Sequence, residues 1–131
     1  MAERGRFTVD RLGEHSEGLA QGVDRKHLLR LRRGEQPIER RVDLHGLVAV
    51  EAKRSLTSEL VSAQGAGLRC VLVIHGRGLH SEGGAVLRGG TIDWLSAEPL
   101  ASRVMAFASA RPEHGGSGAT YVLLRRIRKR G

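Results

Sequence analysis

The sequence contains little cysteine and few aromatic residues. Its 131 residues include a single cysteine, Cys70, so no disulfide can form within the chain. A chain of this kind is typical of a reducing compartment, and Cys70, which lies in an apolar run, is expected to be a small buried hydrophobic residue. Aromatic side chains make up 3% of the chain. The core must therefore be built mainly from Val, Leu, Ile and Ala.

Long apolar runs are also missing. No stretch approaches the ~18 consecutive apolar residues that a membrane-spanning helix needs. Residues 1–20 lack the apolar segment of a secretory signal. We therefore expect a cytoplasmic protein with no membrane partner. The chain length suits one folded domain with a short extension.

The charge of the chain is strongly one-sided. The net charge is +8, and arginine supplies nearly all of the positive charge. The planar guanidinium group suits phosphate better than the point charge of lysine does. This balance favours a polyanionic partner, either nucleic acid or an anionic surface. The alternative is that the arginines reflect the codon usage of a GC-rich genome.

The first third of the chain predicts an extension rather than a domain. Residues 1–22 mix charge, glycine and serine without a sustained period, which indicates a flexible arm. Asp24 as N-cap and Gly34 as stop signal bound a short basic helix near residues 24–33. This helix either packs a few leucines on the domain or tethers the protein to RNA or a ribonucleoprotein. Residues 1–37 are thus predicted to be a flexible basic extension.

Residues 38–126 show the alternating patterns of a folded α/β unit. The patterns predict strands at Arg41–Leu44, Leu68–Ile74, Arg103–Ala108 and Ala119–Leu124, and helices at Val48–Gln64 and Ala85–Ser96. The expected fold is α/β, an α+β two-layer domain of order β-α-β-α-β-β. Its mixed four-stranded sheet should contain parallel strand–helix–strand units and an antiparallel last pair. Residues 127–131 are expected to be a basic C-terminal tail.

Two predicted strands end in residues that can carry chemistry. The first ends in Asp43-Leu44-His45-Gly46 and the second in His75-Gly76-Arg77-Gly78. The carboxyl ends of parallel strands share one edge of a sheet, which is where ligands bind. Asp43 and His45 are two residues apart and should project to the same face. A carboxylate beside an imidazole can fix its tautomer and raise its basicity, which makes His45 a candidate general base. The alternative is that both side chains only satisfy the backbone of a loop.

The glycine-rich segments favour phosphate binding. Gly76 and Gly78 let the backbone turn sharply and approach a ligand, and Arg77 between them could clamp a phosphate. The loop leads to a helix, whose N-terminal amides favour anions. A second glycine-dense segment, residues 115–120, precedes the last strand. Each segment could instead be an ordinary turn or a mobile hairpin loop.

Competing motifs are incomplete in this chain. A dinucleotide-binding fingerprint needs a third glycine where Ser81 stands, and the Gly-Lys-Ser/Thr of a P-loop is absent. Cysteine and histidine lack the spacing of a structural zinc site. His45, His75 and His80 with Asp43 could hold a catalytic divalent metal, but their spacing does not demand it. The expectation is therefore no cofactor.

Three motifs in this order resemble the Smr (small MutS-related) domain family. They are Val42-Asp43-Leu44-His45-Gly46, His75-Gly76-Arg77-Gly78-Leu79-His80-Ser81 and Gly116-Ser117-Gly118-Ala119-Thr120-Tyr121-Val122-Leu123-Leu124. The resemblance covers about residues 38–126, and residues 22–37 look like the extension of standalone bacterial members. The first motif usually begins with Leu, and Val42 is a conservative replacement. The resemblance implies a fold similar to the C-terminal domain of translation initiation factor three.

The resemblance also implies endonuclease activity and a set of site residues. The Asp-x-His element carries the catalytic role onto Asp43 and His45. Separately from the resemblance, our leading hypothesis takes His75 or His80 as the acid. The candidate nucleic-acid-binding residues are Gly76, Arg77, Gly78, His80, Ser81, Gly116 and Gly118. Members of the family act on DNA or on RNA, including messenger RNA on ribosomes. The implied partners are therefore RNA, DNA or both, and a ribosome.

Three hypotheses about function follow from the sequence. An imidazole base with a cationic clamp suits RNA cleavage by the ribose 2′-OH without a metal. Hydrolysis of DNA would more often recruit a divalent ion, as a DNA-nicking enzyme would. The basic helix and tail would also suit a non-catalytic nucleic-acid-binding module. In each case binding should depend on backbone phosphates and on salt, because an aromatic stacking platform is lacking.

Overall fold

The fold is described from a computed structural model, which covers residues 2–4, 7–77 and 82–127. The strands are β1 (Ala2–Arg4), β2 (Phe7–Leu12), β3 (His15–Ala20), β4 (Arg40–Asp43), β5 (Cys70–Ile74), β6 (Val104–Ser109) and β7 (Ala119–Leu124). The helices are α1 (Arg25–Arg32), α2 (Ala49–Gly65) and α3 (Glu82–Leu95), with 3₁₀ turns at Pro112–His114 and Gly116–Gly118. None of the helices in the described residues is both long and apolar enough to cross a membrane.

All of these strands belong to one mixed sheet of order β1-β2-β3-β6-β7-β5-β4. β4 pairs with β5 in parallel, and β7 pairs antiparallel with both β5 and β6. The predicted order β-α-β-α-β-β and the antiparallel last pair are confirmed for residues 40–124. The predicted count of four strands is wrong, because the described sheet has seven.

The three additional strands come from the segment that was predicted to be a flexible arm. That prediction is wrong for residues 7–20, because β2 and β3 form a hairpin and β3 pairs antiparallel with β6. Phe7 is buried, and its ring centroid lies 5.7 Å from that of Phe107. Gly18 faces the same ring so closely that a Cβ atom there would overlap it. The hairpin therefore extends the core of the domain.

Helices cover both faces of the sheet, so the predicted two-layer arrangement is replaced by three layers. Neighbouring residues of a strand project to opposite faces. Val71 and Val73 of β5 pack in the cluster that contains the apolar residues of α2 and α3. Cys70 and Leu72 pack in the other cluster with the α1 leucines. Cys70 is a buried free thiol, as predicted, and burial raises its pKa to about 12.

Helix α1 is fixed to the sheet by packing and by charge. Leu28 and Leu31 are buried, and the predicted N-cap is confirmed because the Asp24 side chain accepts a hydrogen bond from the Lys26 amide at 2.9 Å. Glu17 of β3 is also buried, and its carboxylate oxygens lie 3.8 Å from an Arg25 nitrogen and 3.3 Å from an Arg32 nitrogen. The basic helix is thus a docked element of the domain.

Candidate active site

The candidate site lies where three strand ends meet at one edge of the sheet. Asp43 at the end of β4 is paired with Ile74 at the end of β5, and Ile74 is paired with Ala119 at the start of β7. The amides of His75 and Gly76 both donate to the Gly118 carbonyl, at 3.0 and 2.9 Å. The structure therefore brings the first motif and the described part of the second to a common edge, as the parallel pairing predicted, and adds the glycine-rich segment that precedes β7.

Asp43 and His45 form a direct pair at this edge. The Asp43 Oδ1 atom lies 2.5 Å from His45 Nδ1 and also accepts the His45 backbone amide at 3.0 Å. Because an ionised carboxylate only accepts, the shared proton belongs on Nδ1 and Nε2 is left as the basic atom. Nε2 makes no hydrogen bond with any described residue. The His45 side chain is 69% exposed, so a substrate can reach it.

The pair also changes the acidity of Asp43. The hydrogen bond from the His45 side chain lowers the pKa of Asp43 below its ordinary value, and the bond from the His45 amide acts in the same direction. The carboxylate therefore stays ionised, and able to orient the imidazole, throughout the neutral range.

This pKa shift can be tested by titration. We expect the Asp43 carboxyl carbon to titrate by NMR with a midpoint below 3.8, and in His45→Ala the midpoint should move upwards. A lowered folded-state pKa means that the stabilising contact is present at neutral pH and is lost as the pH falls through the Asp43 pKa. An unchanged midpoint in His45→Ala would show that the two side chains do not interact in solution.

Arg77 lies against the second glycine-rich segment. A Cβ atom on Gly116 would come within 3.3 Å of Arg77 Nη2, and one on Gly118 within 3.3 Å of Arg77 Cγ. A side chain at either position would crowd the arginine side chain, which glycine leaves room for. Gly116 and Gly118 are buried in a 3₁₀ turn, so the alternative of a mobile hairpin loop does not describe them. The exposed Arg77 guanidinium group is thus held at the same edge as the Asp43–His45 pair.

His75 has a different environment from the one that its predicted role requires. It is 1% exposed, with Nδ1 2.8 Å from the Gly76 carbonyl and Nε2 2.9 Å from the Thr120 hydroxyl. Burial lowers the pKa of His75, which favours the neutral ring. Nδ1 then carries the proton for the carbonyl, and Nε2 accepts from the hydroxyl. With both nitrogens engaged, His75 is better suited to holding the loop than to donating a proton to substrate, which argues against its predicted role as the acid.

A structural role for His75 predicts a loss of stability rather than of chemistry. In His75→Ala, the buried Thr120 hydroxyl and the half-buried Gly76 carbonyl lose their hydrogen bonds, so the free energy of unfolding should fall by about 1–3 kcal/mol. Urea unfolding measures this change, and cleavage measured below the unfolding transition should stay within a few-fold of wild type. A 100-fold loss of cleavage with an unchanged free energy of unfolding would indicate that His75 takes part in catalysis.

The remaining predicted site residues lie beyond what the structure describes. Gly78, His80 and Ser81 fall in residues 78–81, outside the described ranges, and their assignment stays a prediction. Within the described residues, no three His, Cys, Asp or Glu side chains converge as metal ligands. His75 could join the suggested metal set only by giving up one of its two hydrogen bonds.

The structure adds three residues that sequence reasoning missed. Arg88 of α3 donates to the Arg77 carbonyl at 2.7 Å, which places a second guanidinium group next to the site. Thr120 orients His75, and the buried Ser117 hydroxyl has no hydrogen-bond partner in the described part of the chain. The signal for Arg88 was its position as the one cation of helix α3. Thr120 and Ser117 belong to the third sequence motif, but nothing in that motif distinguished them as site residues.

A polar sheet edge with an acid–base pair and an arginine over glycine defines an α/β domain suited to binding a phosphate group. Residues 42–125 match the family model of the Smr domain. Since this match spans well over half of the sequence, the chain belongs to the Smr domain family, which is related to nucleases.

Two relatives show the range of similar proteins. The chain is 37% identical over 103 residues to the ribosome rescue factor SmrB of Escherichia coli O157:H7, a match that covers 79% of this chain and 52% of SmrB. It is 35% identical over 131 residues to an uncharacterized protein of Treponema pallidum, covering 96% of this chain and 62% of that protein. The chain therefore spans about half to three-fifths of the length of these relatives.

Two solved structures share the fold. YdaL, a stand-alone small MutS-related protein from Escherichia coli, matches with a TM-score of 0.72 and 33% identity, covering 84% of this chain and 82% of YdaL. The Smr domain of Thermus thermophilus MutS2 matches with a TM-score of 0.57 and 35% identity, covering 66% of this chain and 98% of that domain. The YdaL match covers more of the chain than residues 42–125, so the similarity reaches beyond the Smr domain itself.

Proposed function

We propose that this protein is an endonuclease that cleaves RNA at the sheet edge formed by Asp43, His45 and Arg77. The observation that carries the proposal is the 2.5 Å contact between Asp43 and His45, which leaves the exposed Nε2 atom as a base. Acid–base catalysis by a positioned imidazole contributes typically ~10²–10⁴-fold to a rate. The basic composition of the chain and its similarity to a ribosome rescue factor support RNA as the substrate.

The reaction uses the nucleophile that RNA itself supplies. His45 Nε2 takes the proton of a ribose 2′-OH, whose oxygen attacks the adjacent phosphorus, and the bond from phosphorus to the 5′-oxygen of the next nucleotide breaks. The products are a 2′,3′-cyclic phosphate and a 5′-hydroxyl, which gains the proton given by an acid. Because His75 is buried and both of its ring nitrogens are hydrogen-bonded, His80 is the remaining candidate for that acid.

Arg77 has an electrostatic role in this proposal. Negative charge builds up on the non-bridging phosphate oxygens as the 2′-oxygen attacks, and a guanidinium group held in place stabilises that charge. The packing of Arg77 on Gly116 and Gly118 supplies the positioning. Arg88 adds a second positive charge behind the Arg77 carbonyl.

A cleavage assay with paired substrates tests the proposed activity. A structured RNA and a supercoiled plasmid are incubated with wild type and with Asp43→Ala/His45→Ala, each with and without EDTA. We expect the wild type to cut RNA in the presence of EDTA and the double variant to leave it intact. Relaxation of plasmid only would indicate a DNA-nicking enzyme, and no product from either substrate would favour a binding module.

A further inference from the structure

Helix α1 has a row of positively charged side chains that make no described contact with the rest of the fold. Lys26, Arg30 and Arg33 follow one another at spacings of four and three residues, so they share one side of the helix. All three are exposed, on the side away from the buried Leu28 and Leu31. Their side chains make no ion pair or hydrogen bond with any described residue. We call these three residues the α1 stripe.

The other arginines of the same helix are used differently. Arg25 and Arg32 lie beside the buried carboxylate of Glu17, which they partly neutralise. Helix α1 thus contains two classes of cation, one that pairs with Glu17 of β3 and one that faces solvent and has no partner in the part of the chain that the structure describes. The first class explains how the helix docks, and the α1 stripe needs another explanation.

Helix stability does not account for the α1 stripe. Cations near a helix C-terminus are favourable by about 0.3–1 kcal/mol each, which covers Arg30 and Arg33. Lys26, however, lies in the first turn, where a positive charge opposes the helix dipole, and the carboxylate beside it, that of the N-cap Asp24, is bonded to the Lys26 backbone amide. A lysine at this position is therefore more readily explained by something outside the helix that attracts it.

The dimensions of the α1 stripe fit a nucleic-acid backbone. At 1.5 Å per residue, Lys26 and Arg33 are about 10.5 Å apart along the helix axis. The phosphates of a nucleic-acid strand are spaced a few ångströms apart, ~3.4 Å along the axis for each strand of duplex DNA, so a row of this length can contact more than one phosphate. Flexible cationic side chains facing solvent are the groups that bind such a backbone without reading its sequence.

The end of the α1 stripe is connected to the candidate site through a series of contacts. Arg111, in the loop after β6, donates to the Arg33 carbonyl at 3.1 Å, and the Arg111 amide donates to the Tyr121 hydroxyl at 3.2 Å. His114 Nδ1 lies 2.5 Å from the same hydroxyl. Gly116, two residues further on, packs on the Arg77 guanidinium group. A contiguous path of contacts therefore joins the end of α1 to Arg77, from one face of the sheet to its edge.

We propose that the α1 stripe is a second phosphate-binding surface, which holds the RNA strand beyond the bond that is cut. The RNA passes from the sheet edge at Arg77 onto the outer face of α1. This inference rests on the proposed function for the identity of the strand, but the binding itself needs no cleavage. It predicts that short RNA engages only the sheet edge, whereas longer RNA gains affinity from the α1 stripe.

A pair of charge-matched variants tests this surface. Lys26→Gln/Arg30→Gln/Arg33→Gln removes the α1 stripe, and Lys53→Gln/Arg54→Gln/Arg126→Gln removes three exposed cations elsewhere. The affinity for a single-stranded RNA of a few tens of nucleotides is measured across salt concentrations. Loss of three contacts at a slope of ~0.7 each should lower the salt dependence by about 2 and weaken binding at least ~10-fold near 0.1 M salt. The matched control should keep both values near wild type.

The readouts separate this inference from the proposed activity. If RNA is cut, the α1 stripe variant should show a raised KM for long RNA, an unchanged kcat and an unchanged rate on RNA of a few nucleotides. Suppose that the wild type cuts no RNA, and that the α1 stripe variant still binds RNA more weakly than the wild type. The proposed activity is then wrong, and the inference about the surface is still supported. Equal affinity of the α1 stripe variant and its control would overturn the inference. Loss of ribosome binding with unchanged RNA binding would do so as well, by indicating a protein partner.

Discussion

Replacing His45 by alanine is expected to lower RNA cleavage at least ~100-fold, because the variant lacks the base that activates the 2′-OH. The variant should still fold, since the His45 side chain is 69% exposed and, among the described residues, its one side-chain hydrogen bond is with Asp43. RNA affinity should also be retained, because the phosphates are held by arginines. Single-turnover cleavage and equilibrium binding separate these two quantities.

A second histidine provides the control for this variant. His15 is also exposed and begins β3, which is separated from β4 in the sheet by β6, β7 and β5. His15→Ala removes the same side chain and should cleave RNA at the wild-type rate. The wild-type rate in both variants would remove His45 from the mechanism. Equal losses in both would point to a general effect of losing an imidazole from this surface.

Replacing Gly18 by alanine is expected to lower the free energy of unfolding by about 1–3 kcal/mol, the usual effect of forcing an extra atom into a packed core. Gly18 lies on β3 directly over the buried Phe107 ring, and the added Cβ atom would overlap that ring. Phe107 is enclosed by the core and has little room to move. Urea or thermal unfolding monitored by circular dichroism measures the change.

A glycine-to-alanine substitution in helix α3 should instead raise the free energy of unfolding. A Cβ atom on Gly89 would meet no atom within 4 Å, and alanine is a better helix former than glycine. Gly89→Ala should therefore stabilise the protein by roughly 0.4–1 kcal/mol. A neutral effect of Gly18→Ala beside a stabilising Gly89→Ala would mean that the N-terminal hairpin is not part of the cooperative fold.

The sequence predicted the elements whose signals are local. Cys70–Ile74 and Ala119–Leu124 are continuous apolar runs, as strands buried on both faces must be, and the apolar period of α2 was equally clear. The N-terminal hairpin was missed because its burial depends on a distant partner. β3 contains Glu17 and Gly18, which look like loop residues until β6 and the α1 arginines are placed beside them.

The same contrast between local and distant contacts holds for the candidate site. Asp43 ends β4 and His45 lies in the turn that follows, so the pair is a local contact that a separation of two residues could predict, although the prediction placed both on the strand. The burial of His75 depends on Thr120, 45 residues away, and no pattern around His75 predicts that contact. The approach of Arg88 to Arg77 likewise depends on how α3 packs. The residue types therefore predicted where the site lies on the sheet. The separate roles of His45, His75 and Arg88 within the site could be assigned only from the folded structure.

The chemistry of the product ends tests the central claim most directly. RNA cut by the wild-type protein in excess EDTA is analysed by mass spectrometry for the groups at the new termini. A 2′,3′-cyclic phosphate with a 5′-hydroxyl is the result expected if His45 activates the ribose 2′-OH. A 5′-phosphate with a free 3′-hydroxyl would contradict the account, because those ends arise when water rather than the 2′-OH attacks the phosphorus.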